Sequence, residues 1–189
     1  YFKNEEGRYK EAGNIKNAVP FLHQDPDSDE ILGQCEESGR DQGHATLCVS
    51  LMGAFCQMAY SIGEDLFAFD NYRAVAMAEY VGKYNLIKDE AFNKGTLVGD
   101  DFVYDSNSFP YTSYSNPSYT NTTISTDQRG TKRPAWELFY GYCKAKGISS
   151  IYSGKWAEQM RPDGGGGNYG PNSGGFDQLG FGTLMYYRE

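Results

Sequence analysis

The pattern of apolar and polar positions changes abruptly after His44. From Ala45 to Ile62 the chain reads ATLCVSLMGAFCQMAYSI. Leu47, Cys48, Leu51, Met52, Phe55, Met58, Ala59 and Ile62 recur at three- and four-residue steps, a helical period. Val49, Ala54 and Cys56 fill the other faces, so the pattern predicts a helix over 41–62 buried on nearly all sides. Gly63 is its expected C-terminal cap. A second helix is predicted over 70–85, with Asp70 or Asn71 as cap and Val75, Met77, Ala78, Val81 and Tyr84 as apolar positions. The two should pair as an antiparallel hairpin. Pro134 suits the first turn of a third helix, whose apolar face is Trp136, Leu138, Phe139, Tyr142 and Cys143 and which Gly147 ends. Residues 155–160 form one further helical piece, stopped by Pro162.

The stretches between these runs read differently. Residues 1–34 are polar, with one apolar cluster, Val19-Pro20-Phe21-Leu22, and an acidic turn at 25–29. They predict irregular chain with a short strand, and His23 reads as structural. Residues 86–132 carry no helical period. The part from Tyr104 to Gly130 is rich in Ser, Asn, Thr, Pro and Tyr. A loop of that length in a compact domain is functional or disordered. Tyr104, Tyr111, Tyr114 and Tyr119 argue against disorder, which usually lacks aromatics, so an ordered cover over a groove is expected. Asn121-Thr122-Thr123 is a glycosylation sequon, meaningful in a eukaryotic secreted protein. The glycines at 164–167 lack the GK[ST] of a phosphate loop and take no nucleotide role. Residues 181–187 suit a strand or a short helix.

Composition narrows the function classes. A chain of 189 residues can bury a sizeable core as a single domain. Its mean hydropathy is −0.63, and no apolar run reaches membrane-spanning length. The 16 Tyr exceed what core packing asks for; a flat apolar ring with a polar tip suits sugar contacts. A net charge of −8 argues against a nucleic-acid surface and a polybasic membrane patch. It also counts against a polyanionic substrate unless Arg and Lys concentrate locally. Cys35, Cys48, Cys56 and Cys143 form no CxxC pair, which argues against a zinc site. They read as free thiols, two of them small hydrophobes in the first helix. The start at Tyr1, with no signal-peptide pattern, reads as a cut one.

Candidate chemistry sits at the head of the first helix. Glu36, Glu37, Arg40, Asp41 and His44 crowd together where the apolar run begins. A helix N-terminus favours anions. The same residues also suit a capping ion-pair cluster with His44 as a first-turn polar residue, and composition alone leaves both readings open.

Longer motifs carry a resemblance. Glu37-Ser38-Gly39-Arg40-Asp41-Gln42-Gly43-His44, then Asp65-Leu66-Phe67, Asp70-Asn71-Tyr72-Arg73 and Glu79-Tyr80-Val81-Gly82-Lys83-Tyr84-Asn85-Leu86, resemble the alginate-lyase family of helical-toroid polysaccharide lyases. Arg129-Gly130, Arg133-Pro134-Ala135-Trp136-Glu137, Arg161-Pro162 and Gly180-Phe181-Gly182-Thr183-Leu184 look like its C-terminal landmarks. The resemblance spans about residues 35–187, in order. It implies a mainly α fold, an (α/α) toroid or incomplete toroid with long irregular loops. Helix 41–62 would be an inner helix and 70–85 its outer partner. Family members are longer, so 1–189 is expected to be a single domain matching the C-terminal part of a lyase, with the missing N-terminal part as a partner. A secreted or periplasmic location is implied.

The family cleaves uronate polymers by β-elimination, without a cofactor or metal. Such a reaction needs a group that neutralises the carboxylate beside C5, a base for the C5 proton and an acid for the leaving oxygen. The resemblance points to Arg40 as carboxylate clamp and His44 as base or neutraliser, four residues apart and so on one helix face. Glu37 and Asp41 would orient them. Tyr80 follows Arg73 at the family's Arg-to-Tyr spacing and is a third catalytic candidate, although the 79–84 block also suits plain packing. Gln42 and Arg73 join Glu37 and Asp41 as substrate-binding candidates. Tyr111, Tyr114 and Tyr119 are candidates for sugar stacking or for packing the loop. The family's Asn-His pair has no counterpart: His44 follows Gly43 and His23 follows Leu22. The expected ligand is an acidic polysaccharide or oligosaccharide such as alginate or glucuronan. The alternatives are a non-catalytic glycan-binding remnant and a glycoside hydrolase on a similar toroid, which needs two carboxylates flanking a bond.

Overall fold

The computed structural model describes residues 15–115 and 120–160, with the backbone of two short strands at 172–173 and 178–179. Tyr119, the glycines at 164–167, Arg161-Pro162 and residues 180–187 lie outside the described residues. The fold is mainly helical. In chain order it runs α1 (Ile15–Ala18), β1 (Phe21–Gln24), β2 (Ile31–Gln34), a 3₁₀ turn (Glu36–Gly39), α2 (Gln42–Ser61), α3 (Phe69–Asn85), β3 (Tyr114–Ser115), β4 (Thr120–Asn121), α4 (Trp136–Lys146), α5 (Ile151–Met160), β5 (Asn172–Ser173) and β6 (Gln178–Leu179). Among the described residues the strands pair as two-stranded antiparallel ribbons, β1 with β2, β3 with β4 and β5 with β6.

The core sits around α3, not α2. Every residue from Ala74 to Asn85 is buried, because α3 packs against β2, α5, α2, α4 and α1. On α2 the stripe Leu51, Met58 and Ile62 is 59%, 64% and 67% exposed. The expected all-round burial of 41–62 therefore does not hold, and the enclosed helix is α3. Apolar periodicity misleads here because α3 buries paired polar groups. Glu79 accepts the Tyr152 and Ser153 backbone N–H groups at 2.8 and 2.9 Å, capping the start of α5. Lys83, 1% exposed, donates to Asp25 and Asp27 of the β1–β2 turn.

The helix ends follow local chemistry. Gly63, at φ +91°, closes α2, with its N–H on Tyr60 O and that of Glu64 on Ala59 O. Gly147 closes α4 in the left-handed region. The start of α3 departs from expectation. Asp70 and Asn71 do not cap a right-handed helix; with Tyr72 they form a left-handed turn at φ 49°, 56° and 61°. The regular helix begins beyond Tyr72, and Asp70 accepts from Arg73 Nε at 2.6 Å. The described part of 86–132 is irregular chain with two 3₁₀ turns and the β3–β4 ribbon, as its composition predicts.

Two close approaches hold β2 and the aromatic layer on α3. Trp136 and Trp156 stack at 5.1 Å beside Gly82, whose carbonyl takes the Trp156 indole N–H at 2.9 Å. At Gly33 an added Cβ would lie 2.6 Å from Val19 Cγ1 and 2.9 Å from the Met77 backbone nitrogen. Helix backbone cannot retreat as a side chain can. Gly33→Ala is expected to destabilise the fold by roughly 1–3 kcal/mol, measured as a lower urea midpoint at unchanged slope. An unchanged midpoint would mean that β2 does not press on α3 this closely.

Candidate functional site

The site begins where the 3₁₀ turn runs into α2. Asp41 is extended (φ −165°) and caps α2, its Oδ1 accepting the His44 N–H at 2.7 Å. Its other oxygen, Oδ2, lies 2.6 Å from His44 Nδ1. A carboxylate only accepts, so it keeps a proton on Nδ1 and leaves Nε2 as the acceptor of the neutral ring. Arg40 flanks the pair, 3.6 Å from Asp41 Oδ2 and 3.4 Å from Glu37 Oε2. The Arg40 and His44 side chains are 46% and 41% exposed, so both reach solvent. The capping cluster and the outward-facing imidazole are thus one arrangement: the carboxylate that caps the helix also orients the ring.

A second layer fixes this corner from below. Gln42 is 1% exposed. Its Nε2 donates to Ser38 O and Ser125 O, both at 3.0 Å, and its Oε1 accepts from Asn85 Nδ2 at 2.9 Å. Asn85 Oδ1 in turn accepts the Gly130 N–H at 2.9 Å. Gln42 has no amide atom left for a ligand. It ties residues 125–130 to α2 and α3 from a buried position.

The Tyr-rich loop lies along the same corner. Tyr111 donates to Asn121 O at 3.3 Å and crosses Gly39, where an added Cβ would sit 2.2 Å from its hydroxyl. Tyr114 donates to Glu36 Oε2 at 3.4 Å and meets Phe21 edge-on. Burial raises both phenols, and Glu36 pushes Tyr114 further. Burial, then neighbouring Glu37, also raises Glu36. Both rings strap the loop down, with partly open faces. Asn121 Nδ2 is buried against this strap, so the acceptor nitrogen of the sequon is covered in the folded protein, while Thr122 and Thr123 are exposed.

Two candidates stand apart. Tyr80 is fully buried; its hydroxyl donates to Pro110 O at 2.8 Å and its ring stacks on His23. Burial holds its phenol well above the ordinary value. It supports the loop from inside and does not meet Arg40 or His44. His23 is structural as expected, with Nε2 3.0 Å from Gln34 Oε1. Arg73 donates to Asp70 and to Val19 O, each at 2.6 Å. It lies twelve residues before Asn85, about 18 Å along α3 from the corner.

Sequence reasoning missed the groove beside the corner. A cavity of about 780 Å³ is lined by residues 94–99, Thr126 and residues 128–132, with Phe102 and Ser106. Three cations, Lys94, Arg129 and Lys132, lie along it. Gln128, at φ 54°, joins it to the corner: an added Cβ on Gly43 would be 2.2 Å from the Gln128 amide oxygen. The signal was present only as the local run Gln128-Arg129-Gly130-Thr131-Lys132-Arg133. Among the described residues no group of three or more His, Cys, Asp or Glu side chains could hold a metal ion. No protein-family model, curated protein or solved structure matches the chain.

Proposed function

We propose that the protein is a polysaccharide lyase, or the C-terminal part of one, that cleaves a uronate-containing polymer by β-elimination. What carries this reading is the Asp41–His44–Arg40 set, half-exposed and joined through Gln128 to a cationic groove in a chain of net charge −8. The local concentration of Arg and Lys that an acidic substrate requires is there. In the reaction His44 Nε2 takes the proton from C5 and Arg40 offsets the charge that develops on the adjacent carboxylate. The electron pair forms the C4–C5 double bond, the C4–O bond breaks, and the leaving oxygen collects a proton. Asp41 positions the ring. The resemblance adds that α2–α5 belong to an (α/α) toroid or part of one, and that the enzyme works in a secreted or periplasmic setting.

The test is incubation of the full chain with alginate, glucuronan and a neutral glucan. Rising ultraviolet absorbance from an unsaturated uronate, with an acidic polymer only, supports the lyase. New reducing ends without that absorbance would make it a hydrolase. Binding with neither signal would make it a non-catalytic glycan-binding protein.

A further inference from the structure

We propose that the groove lined by residues 94–99, Thr126 and residues 128–132 is a subsite for the carboxylate of an acidic sugar unit, with Arg129 as its anchoring group. It deepens the reading of the ligand as an acidic polysaccharide and rests on it. Arg129 is held like a fixed fork. Nε donates to Tyr84 O at 2.8 Å and Nη2 to Tyr104 O at 2.7 Å. The guanidinium lies 4.0 Å from the centre of the Tyr84 ring and 4.2 Å from that of Phe102. This leaves Nη1 without a hydrogen-bond partner among the described residues, in a side chain that lines the groove. A guanidinium clamped on two carbonyls and two rings cannot swing away, so little rotamer entropy is lost when an anion meets it.

The other two cations differ in kind. Lys94 pairs with Asp101. Lys132 donates to Phe92 O and sits 3.9 Å over the Phe92 ring. Burial pulls Lys132 and Arg129 below their ordinary values, as for cations partly stripped of water with no carboxylate at contact distance. Thr126, Gln128 and Thr131 add neutral hydrogen-bonding groups along the same wall. An anion with sugar hydroxyls beside it matches that wall better than a bare anion does. The aromatic rings stack on the guanidinium, so recognition here runs through charge and hydrogen bonds. Sugar-ring stacking falls to Tyr111 and Tyr114 at the corner. The volume is in the range of small-molecule sites.

The experiment measures binding of a defined acidic oligosaccharide by calorimetry, against its carboxyl-reduced form and inorganic phosphate. A variant at the rim tests placement without touching Arg129: Gly95→Glu, because a side chain there meets nothing within 4 Å. The acidic oligosaccharide should bind, its carboxyl-reduced form at least tenfold more weakly, and affinity should fall as salt rises. Gly95→Glu should weaken binding about tenfold by like-charge repulsion, with an unchanged melting temperature. Arg129→Gln should weaken it at least as much. Equal binding of the carboxyl-reduced form or of inorganic phosphate would overturn the proposal, as would Gly95→Glu binding like the parent. Binding with these sensitivities but no unsaturated product leaves the subsite standing and removes the lyase. Turnover indifferent to Gly95→Glu removes the subsite and leaves the lyase.

Discussion

His44→Ala is expected to lower turnover of the acidic polymer by at least ~100-fold while leaving stability within about 0.5 kcal/mol of the parent. Both halves follow from the geometry. The ring is 41% exposed and makes one side-chain hydrogen bond, to Asp41, so its loss opens no cavity. A positioned proton acceptor contributes on the order of 10²–10⁴ in rate. Asp41 separates the capping role from the orienting one. Asp41→Asn keeps an N-cap acceptor for the His44 N–H, since Asn and Asp cap about equally well. It removes the carboxylate that fixes the Nδ1 proton. Activity should therefore drop with little change in the unfolding midpoint. Arg40→Ala should also lose turnover, and its exposed ion pairs to Glu37 and Asp41 are worth at most about 1 kcal/mol of stability. Initial rates from absorbance and urea midpoints check all three. Full activity in His44→Ala would take the imidazole out of the mechanism, and the lyase reading would lose its base.

The corner was legible because its chemistry is local. An Asp followed three residues later by a residue opening an apolar periodic run is a capping pattern. The expected shared helix face of residues 40 and 44 does not hold, because Arg40 precedes the extended cap Asp41 and α2 starts at Gln42; the two side chains are brought together by Asp41 Oδ2 instead. The third and fourth helices and the Gly63 and Gly147 ends were legible for the same reason. What the sequence hid was long-range. Gln42 reads as one more polar residue of the motif, yet its amide is consumed by Ser38, Ser125 and Asn85, the last two more than forty positions away. The 79–84 block reads as plain packing around Tyr80, with nothing local to show that Glu79 and Lys83 are themselves buried. Their partners come from the turn at 25–27 and the start of α5, so burial follows from pairs that no local window contains. The groove failed similarly. Lys94 and Arg129 are far apart in the chain, and the global charge of −8 masks their meeting.

Lys83→Met is expected to be the most destabilising single change, by about 3–5 kcal/mol, or roughly 6–20 °C in melting temperature. The Lys83 side chain is 1% exposed and that of Asp25 is fully enclosed. The ammonium meets Asp25 and Asp27 and lies 4.6 Å over the Tyr104 ring and 5.2 Å over the Tyr152 ring. Asp25 Oδ2 also accepts from Tyr152 Oη at 2.6 Å and Ser28 Oγ at 2.7 Å. Removing the cation strands the Asp25 charge where water cannot reach it. The attraction itself is not what is lost, because two buried ions repay their desolvation only in part. Lys83→Met with Asp25→Leu should therefore recover much of the loss, although each single change is harmful. Acid should act on the same pair. Burial pushes the Asp25 carboxyl up, but Lys83, Tyr152, the Asp27 N–H and Ser28 outweigh it and hold it below the ordinary 3.8. Its contribution is therefore full above about pH 4 and is lost as pH falls through the lowered value. A double variant no more stable than Lys83→Met would mean that the ammonium's contacts with the two tyrosine rings, not the stranded carboxylate, set the cost.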